Sequence, residues 1–131
     1  MAKRDKQRPT DAELEILQVV WDRGSCTVRE VLRTLAERRE VGYTTVLKLM
    51  QIMSEKGLLD KDETVRPQVY SAARSRGQTQ RAVLGDLLDR LYRGSPGNLA
   101  LQALASGKTT QEEREKIRDL LDRLEREETD S

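Results

Sequence analysis

Apolar positions recur at helical spacing over most of the chain and switch to alternation only once. Leu14, Leu17, Val20 and Trp21, with Ile16 beside them, form a first stripe; Val28, Val31, Leu32 and Leu35 form a second. The stretch Gly42–Gly57 has two faces of different character. Val46, Leu49, Met50 and Met53 fall on one side, and Thr44, Leu47, Lys48, Gln51 and Glu55 on the other. After Gly57 the pattern shortens. Leu58-Leu59-Asp60-Lys61 and Gln68-Val69-Tyr70-Ser71 are strand candidates, joined by Asp62–Pro67. From Ser75 the helical period returns in three stripes. These are Val83, Leu84, Leu87, Leu88 and Leu91, then Leu99, Leu101, Ala103 and Leu104, then Ile117, Leu120, Leu121 and Leu124.

Start and stop signals agree with this division. Thr10 with Glu13, Thr27 with Glu30 and Thr110 with Glu113 have the spacing of a capping box, in which hydroxyl and carboxylate each accept the other residue's free amide. Gly24 ends the first helix, and breaks follow at Val41-Gly42, Arg93–Gly97 and Ser106-Gly107. Two short capped helices followed by a two-faced third give the outline of a helix-turn-helix, and a hairpin directly after it is the winged-helix order of elements. The fold class expected is mostly α with a small β-hairpin: a winged helix-turn-helix domain plus a C-terminal helical dimerisation region. An unrelated hairpin on a three-helix bundle is the alternative. The boundaries predicted are a basic arm over 1–9, a winged-helix DNA-binding domain over 10–74 and a helical dimerisation region over 75–131. The C-terminal leucine stripes are too narrow to make a core alone. They suit a second copy of the chain, the other option being to fold back on the same chain's winged helix.

Composition narrows the function classes. Of 131 residues, 36% are hydrophobic and 36% charged, with no Phe and only 3% aromatic, which suits short amphipathic helices more than one large core. The net charge of +1 makes no case for nucleic acid by itself. The sharpest local excess is the opening, where Lys3, Arg4, Lys6 and Arg8 face only Asp5; such an arm can be a tail or a nucleic-acid contact. Cys26 stands alone and there is no His, so no intramolecular disulfide, metal site or cofactor is implied. No apolar run reaches the roughly 20 residues that span a bilayer, and no apolar segment follows the basic start, so a cytoplasmic chain without membrane insertion is expected. Catalysis is not indicated, since the carboxylates are spread over polar faces and Cys26 has no visible base. A buried, inert Cys26 is expected in preference to a redox sensor.

The polar face of Gly42–Gly57 carries hydroxyl, ammonium and amide groups suited to base edges and phosphates, although such a face can also be simply solvated. Thr44, Lys48 and Gln51 are the candidates for the groove, since Gln suits adenine and Lys suits guanine. Tyr43, Thr45 and Arg66 are candidates for phosphates. Leu47 and Ile52 flank this face and either meet thymine methyls or are covered by neighbouring elements. Thr27 is read first as a cap, and Lys56 as a charge at a helix C-terminus. The rival is a non-catalytic winged-helix module that binds a protein and dimerises through its C-terminal helices.

The segments TDAELEILQVVWDRGSCTVREVLRTL, GYTTVLKLMQIMSEKGLL and VYSAA occur in that order and at matching spacing. Together with Gly94-Ser95 and the final helix pair, they resemble the penicillinase-repressor (BlaI/MecI) family of bacterial transcription regulators over nearly the whole chain after residue 9. The resemblance implies a homodimeric repressor on a near-palindromic double-stranded DNA operator. It places Tyr43, Thr44, Thr45, Lys48 and Gln51 in or beside the major groove, and Lys61 and Arg66 of the wing near the phosphates. It assigns the partner contact to the leucine stripes of the C-terminal helices: Leu84, Leu87, Leu88, Leu91, Leu99, Leu104, Ile117, Leu120, Leu121 and Leu124. It also implies, as a partner, a membrane-embedded sensor or metallopeptidase that triggers cleavage at an Asn-Phe bond in better-known members. The corresponding place here reads Gln102-Ala103, a departure that counts against the same cleavage. Copper-responsive relatives carry a C-terminal cysteine cluster that this chain lacks.

Overall fold

Hydroxyl caps set where the helices begin. Thr10 Oγ1 accepts the Glu13 amide at 3.2 Å while Glu13 Oε1 accepts the Thr10 amide at 2.8 Å. The same reciprocal pair joins Thr27 to Glu30 and Thr110 to Glu113. A fourth box, with an amide in place of the carboxylate, joins Ser75 and Gln78 at 3.1 and 2.9 Å. In the computed structural model, which describes residues 8–130, these caps precede four of six helices. The basic opening with Lys3, Arg4 and Lys6 lies outside the described residues. The elements are α1 (Asp11–Arg23), α2 (Val28–Ala36), α3 (Tyr43–Glu55), β1 (Leu59–Asp62), β2 (Val69–Ala72), α4 (Arg76–Leu91), α5 (Pro96–Ala105) and α6 (Gln111–Asp130).

Helix ends follow from the backbone. Gly24 has φ +87°, a conformation that costs a side-chain-bearing residue energy, and its amide closes α1 on the Val20 carbonyl at 2.7 Å. Gly57, at φ +83°, does the same for α3, and Leu58 then bonds back to the Met53 carbonyl at 2.8 Å as the chain turns into β1.

The chain divides into two compact units, one ending at Leu84 and one beginning at Gly85, so α4 contributes to both. In the first unit, α1, α2 and α3 bury Ile16, Leu17, Val19, Val20, Val28, Val31, Leu35, Val46, Met50 and Met53 against Leu59 of β1 and Tyr70 of β2. The strands pair antiparallel with Leu59 opposite Ala72 and Lys61 opposite Tyr70. On the other edge of β2, Tyr70 exchanges two backbone hydrogen bonds with Cys26, at 2.7 and 2.8 Å, which anchors the hairpin to the α1–α2 connection. This is a winged helix-turn-helix. The first turn of α4 is held as well: Trp21 Nε1 donates to the Arg74 carbonyl, and Arg76 lies over the Trp21 ring and pairs with Asp22.

One stripe is rotated from its predicted position. In α1 the buried face is Glu13, Ile16, Leu17, Val19 and Val20, whereas Leu14 and Trp21 are only half-buried. Glu13 causes the difference. Its carboxylate, 2% exposed, receives Lys56 Nζ at 2.9 and 3.0 Å, so a charged residue occupies a core position that hydrophobicity would not assign to it. The Lys56 ammonium, read from sequence as a helix-end charge, joins the end of α3 to the start of α1. In the second unit, no residue of α5 or α6 is buried. Tyr92 donates its hydroxyl to Gln102 Oε1 at 2.9 Å, and Ser95 caps α5 through the Asn98 amide.

Lys56→Met leaves a buried carboxylate without its cation and is expected to cost about 3 kcal/mol in urea denaturation. Glu13→Gln removes that charge while Lys56 can still reach water, so its loss is expected to be smaller; a Lys56→Met variant as stable as the unaltered protein would show that Glu13 gains nothing from the ammonium. Burial, with a smaller push from the Glu30 charge, raises the Cys26 thiol above its ordinary pKa. The thiol's contribution to stability is therefore complete below the unfolded thiol pKa and is lost as pH rises through the folded value. Cys26→Ala is expected to flatten the alkaline side of the stability–pH curve, and iodoacetamide to label the native thiol much more slowly than the urea-unfolded one.

Candidate nucleic-acid interface

The roll of α3 is set by three side chains. Val46, Met50 and Met53 are all fully buried, which turns Thr44, Lys48, Gln51 and Glu55 to the exposed face of the same helix. Tyr43 and Thr45 are exposed at its first turn, and Leu47 and Ile52 are half-buried at the margins. Leu47 packs against the core. The helix starts on Gly42 with no side-chain cap, so its first-turn amides are free of any capping side chain.

Ion pairing sorts the cations around this face. In the first unit Arg23, Arg39, Lys56, Lys61 and Arg76 each hold a carboxylate. Lys48 and Arg66 have no carboxylate partner among the described residues, and both are exposed. Lys61 differs. Its ammonium lies 3.1 Å from Glu63, whose hydrogen bond raises the Lys61 pKa while offsetting its charge. The base of the wing is acidic besides, with Asp60, Asp62 and Glu63 in sequence around Lys61. Asp62 accepts from both the amide and the hydroxyl of Thr64, which holds its carboxyl below the ordinary range and tightens the turn. Arg66 therefore stands as the unpaired cation of the wing loop among the described residues.

One residue of this region carries no signal in the hydrophobic pattern. Arg29, exposed on the first turn of α2, places its guanidinium 5.0 Å from the centre of the Tyr43 ring. Both border a groove of about 120 Å³ that Thr27, Leu47, Pro67 and Gln68 also line. The pairing joins residues 14 positions apart across the turn between α2 and α3, and periodicity within one helix cannot reveal it.

The predicted partner face of the C-terminal half is open in the structure. Leu84, Leu87, Leu91, Leu120, Leu121 and Leu124 are each at least 39% exposed, while Leu88, Leu99, Leu104 and Ile117 are half-buried. Gln102 and Ala103 are exposed on α5. Among the described residues, no group of three His, Cys, Asp or Glu side chains is placed to hold a metal ion, and no helix is long and apolar enough to cross a membrane.

The sequence model described as penicillinase repressor matches residues 9–123. The penicillinase repressor of Bacillus licheniformis is 24% identical over 113 residues, covering 86% of this chain and 88% of that protein. That of Staphylococcus aureus is 21% identical over 110 residues, covering 84% and 87%. Among solved structures, the monomeric form of Bacillus licheniformis BlaI in complex with the blaP half-operator aligns with a TM-score of 0.47 at 26% identity, over 53% of this chain and 84% of that one. With the family match running from the cap of α1 into α6, the chain belongs to the penicillinase repressor family.

Proposed function

We propose that this protein is a transcriptional repressor that binds double-stranded DNA as a homodimer and acts by occupying a near-palindromic operator. The observation that carries the reading is the exposed face of α3, where Thr44, Lys48 and Gln51 are turned outward by a fully buried opposite side in a chain of the penicillinase repressor family. Residues 10–74 would supply the DNA-binding domain. Its third helix would enter the major groove, with Tyr43, Thr45 and Arg66 on flanking phosphates and Lys61 a weaker contributor because Glu63 already holds it.

Residues 75–131 would hold the second copy. The exposed Leu84, Leu87 and Leu91 of α4 and Leu120, Leu121 and Leu124 of α6 repeat at three and four residues, the spacing that buries one stripe against another. Dimerisation would fix two recognition helices about one DNA turn apart, or a multiple of it, and so demand a two-fold related site. Occupancy of that site blocks transcription without any catalytic group. By resemblance, a membrane-embedded sensor or metallopeptidase is a candidate upstream partner, but the place of the Asn-Phe bond cleaved in better-known members reads Gln102-Ala103 here, which counts against the same cleavage.

The test is fluorescence anisotropy of the purified protein on DNA from its own upstream region, across a salt series and against scrambled DNA. Tight, salt-sensitive and sequence-selective binding is expected. Lys48→Ala should lose about tenfold in discrimination. Arg66→Ala should weaken all DNA alike and flatten the salt slope by about one. Leu121→Glu should convert a sedimenting dimer to monomer and weaken operator binding with it. Absence of sequence preference at any salt, followed by an empty genome-wide selection of bound fragments, would overturn the repressor reading in favour of a protein-binding module.

A further inference from the structure

The Arg29–Tyr43 pair lies where two parts of a helix-turn-helix meet. Arg29 belongs to the first turn of α2, two residues beyond the Thr27 cap, and Tyr43 is the first residue of α3. When such a unit docks, its first helix crosses the sugar–phosphate backbone while the leading residues of the second reach toward base edges. The guanidinium, 5.0 Å from the ring centre, therefore sits at the junction of backbone and groove.

Its electrostatic state separates it from its neighbours. Arg23 is tied to Glu30 at 3.3 Å, and Arg39 to Glu15 at 2.9 Å. Arg29 has no carboxylate partner among the described residues. An aromatic face attracts a guanidinium without occupying its N–H donors, which lie in the guanidinium plane and stay free for the paired oxygens of a phosphate. Tyr43, at 40% exposure, thus limits the motion of a long, unpaired cation without neutralising it.

We propose that Arg29, held against the Tyr43 ring, grips one phosphodiester of the bound DNA, and that Tyr43 serves this contact as a platform through its ring more than through its hydroxyl. The proposal rests on the DNA-binding reading above and adds to it a residue from α2 and a division of labour between the two side chains. Arg29 is a sequence-independent contact, so it contributes to affinity on any duplex and leaves discrimination to the α3 face.

The experiment is the same anisotropy salt series on upstream and scrambled DNA, with Arg29→Ala, Arg29→Lys, Tyr43→Phe, Tyr43→Ala and the double alanine variant. Arg29→Ala should weaken both DNAs by a similar factor, about tenfold, and lower the salt slope by about one. Arg29→Lys should restore the slope. Tyr43→Phe should keep most of the binding that Tyr43→Ala loses, and the double variant should be no weaker than Arg29→Ala alone by more than about twofold. An unchanged slope in Arg29→Ala overturns the phosphate contact, and a loss in Tyr43→Phe equal to that in Tyr43→Ala overturns the platform. Additive losses in the double variant overturn the platform as well. If the unaltered protein itself shows no salt-dependent DNA binding, this proposal falls together with the DNA-binding reading; if it binds and Arg29→Ala binds identically, only this proposal falls.

Discussion

One carboxylate connects the parts of the winged helix that have to keep register. Glu13 accepts the Thr10 amide that starts α1 and the Lys56 ammonium that follows α3, and it does so at 2% exposure. A buried charge tolerates few geometries, because each oxygen left without a donor costs free energy in a medium of low polarity. The two ends it joins are therefore fixed more tightly than apolar contact would fix them. Since the roll of α3 decides which side chains face outward, this polar contact and the Val46–Met50–Met53 stripe together determine the surface on which Thr44, Lys48 and Gln51 stand.

The two halves of the chain differ in how they obtain stability. Every fully buried side chain among the described residues belongs to the unit that ends at Leu84. The helices after it have caps, exposed charge pairs such as Lys116 with Glu112, and an apolar stripe in water. Exposed pairs of that kind contribute little, and isolated helices of this length are marginal. On the dimer reading, the C-terminal half is stable because a second copy covers its leucines, and its folding is linked to protomer concentration.

Much of this was legible in the residue pattern. The three Thr-x-x-Glu boxes, the stripe of α3 and the change to strands after Gly57 all rest on short-range physics, and each appears within a residue or two of its predicted place. What escaped the pattern was long-range. The face of α1 is misjudged when Glu13 is assumed to be outside, and only Lys56, 43 positions away, makes its burial tolerable. The Ser75–Gln78 box lacks the acidic residue that would have marked it. Arg29 reads as one more exposed charge until α3 brings Tyr43 beneath it. For the proposed interface, one helix face was therefore readable in advance, whereas the contact contributed by α2 and the pairing of Lys61 with Glu63 required the fold.

The hairpin has a consequence for the protein's behaviour at high concentration. Because β2 lies between β1 and the Cys26 bridge, the outer side of β1 is the strand edge left without a ladder partner among the described residues. An unpaired edge is a template on which another chain can add a strand and begin an aggregate. Here that edge is four residues long and reads Leu59-Asp60-Lys61-Asp62, so an incoming strand would meet three consecutive charges. A short edge that carries Asp60, Lys61 and Asp62 thereby disfavours growth of the sheet beyond one molecule.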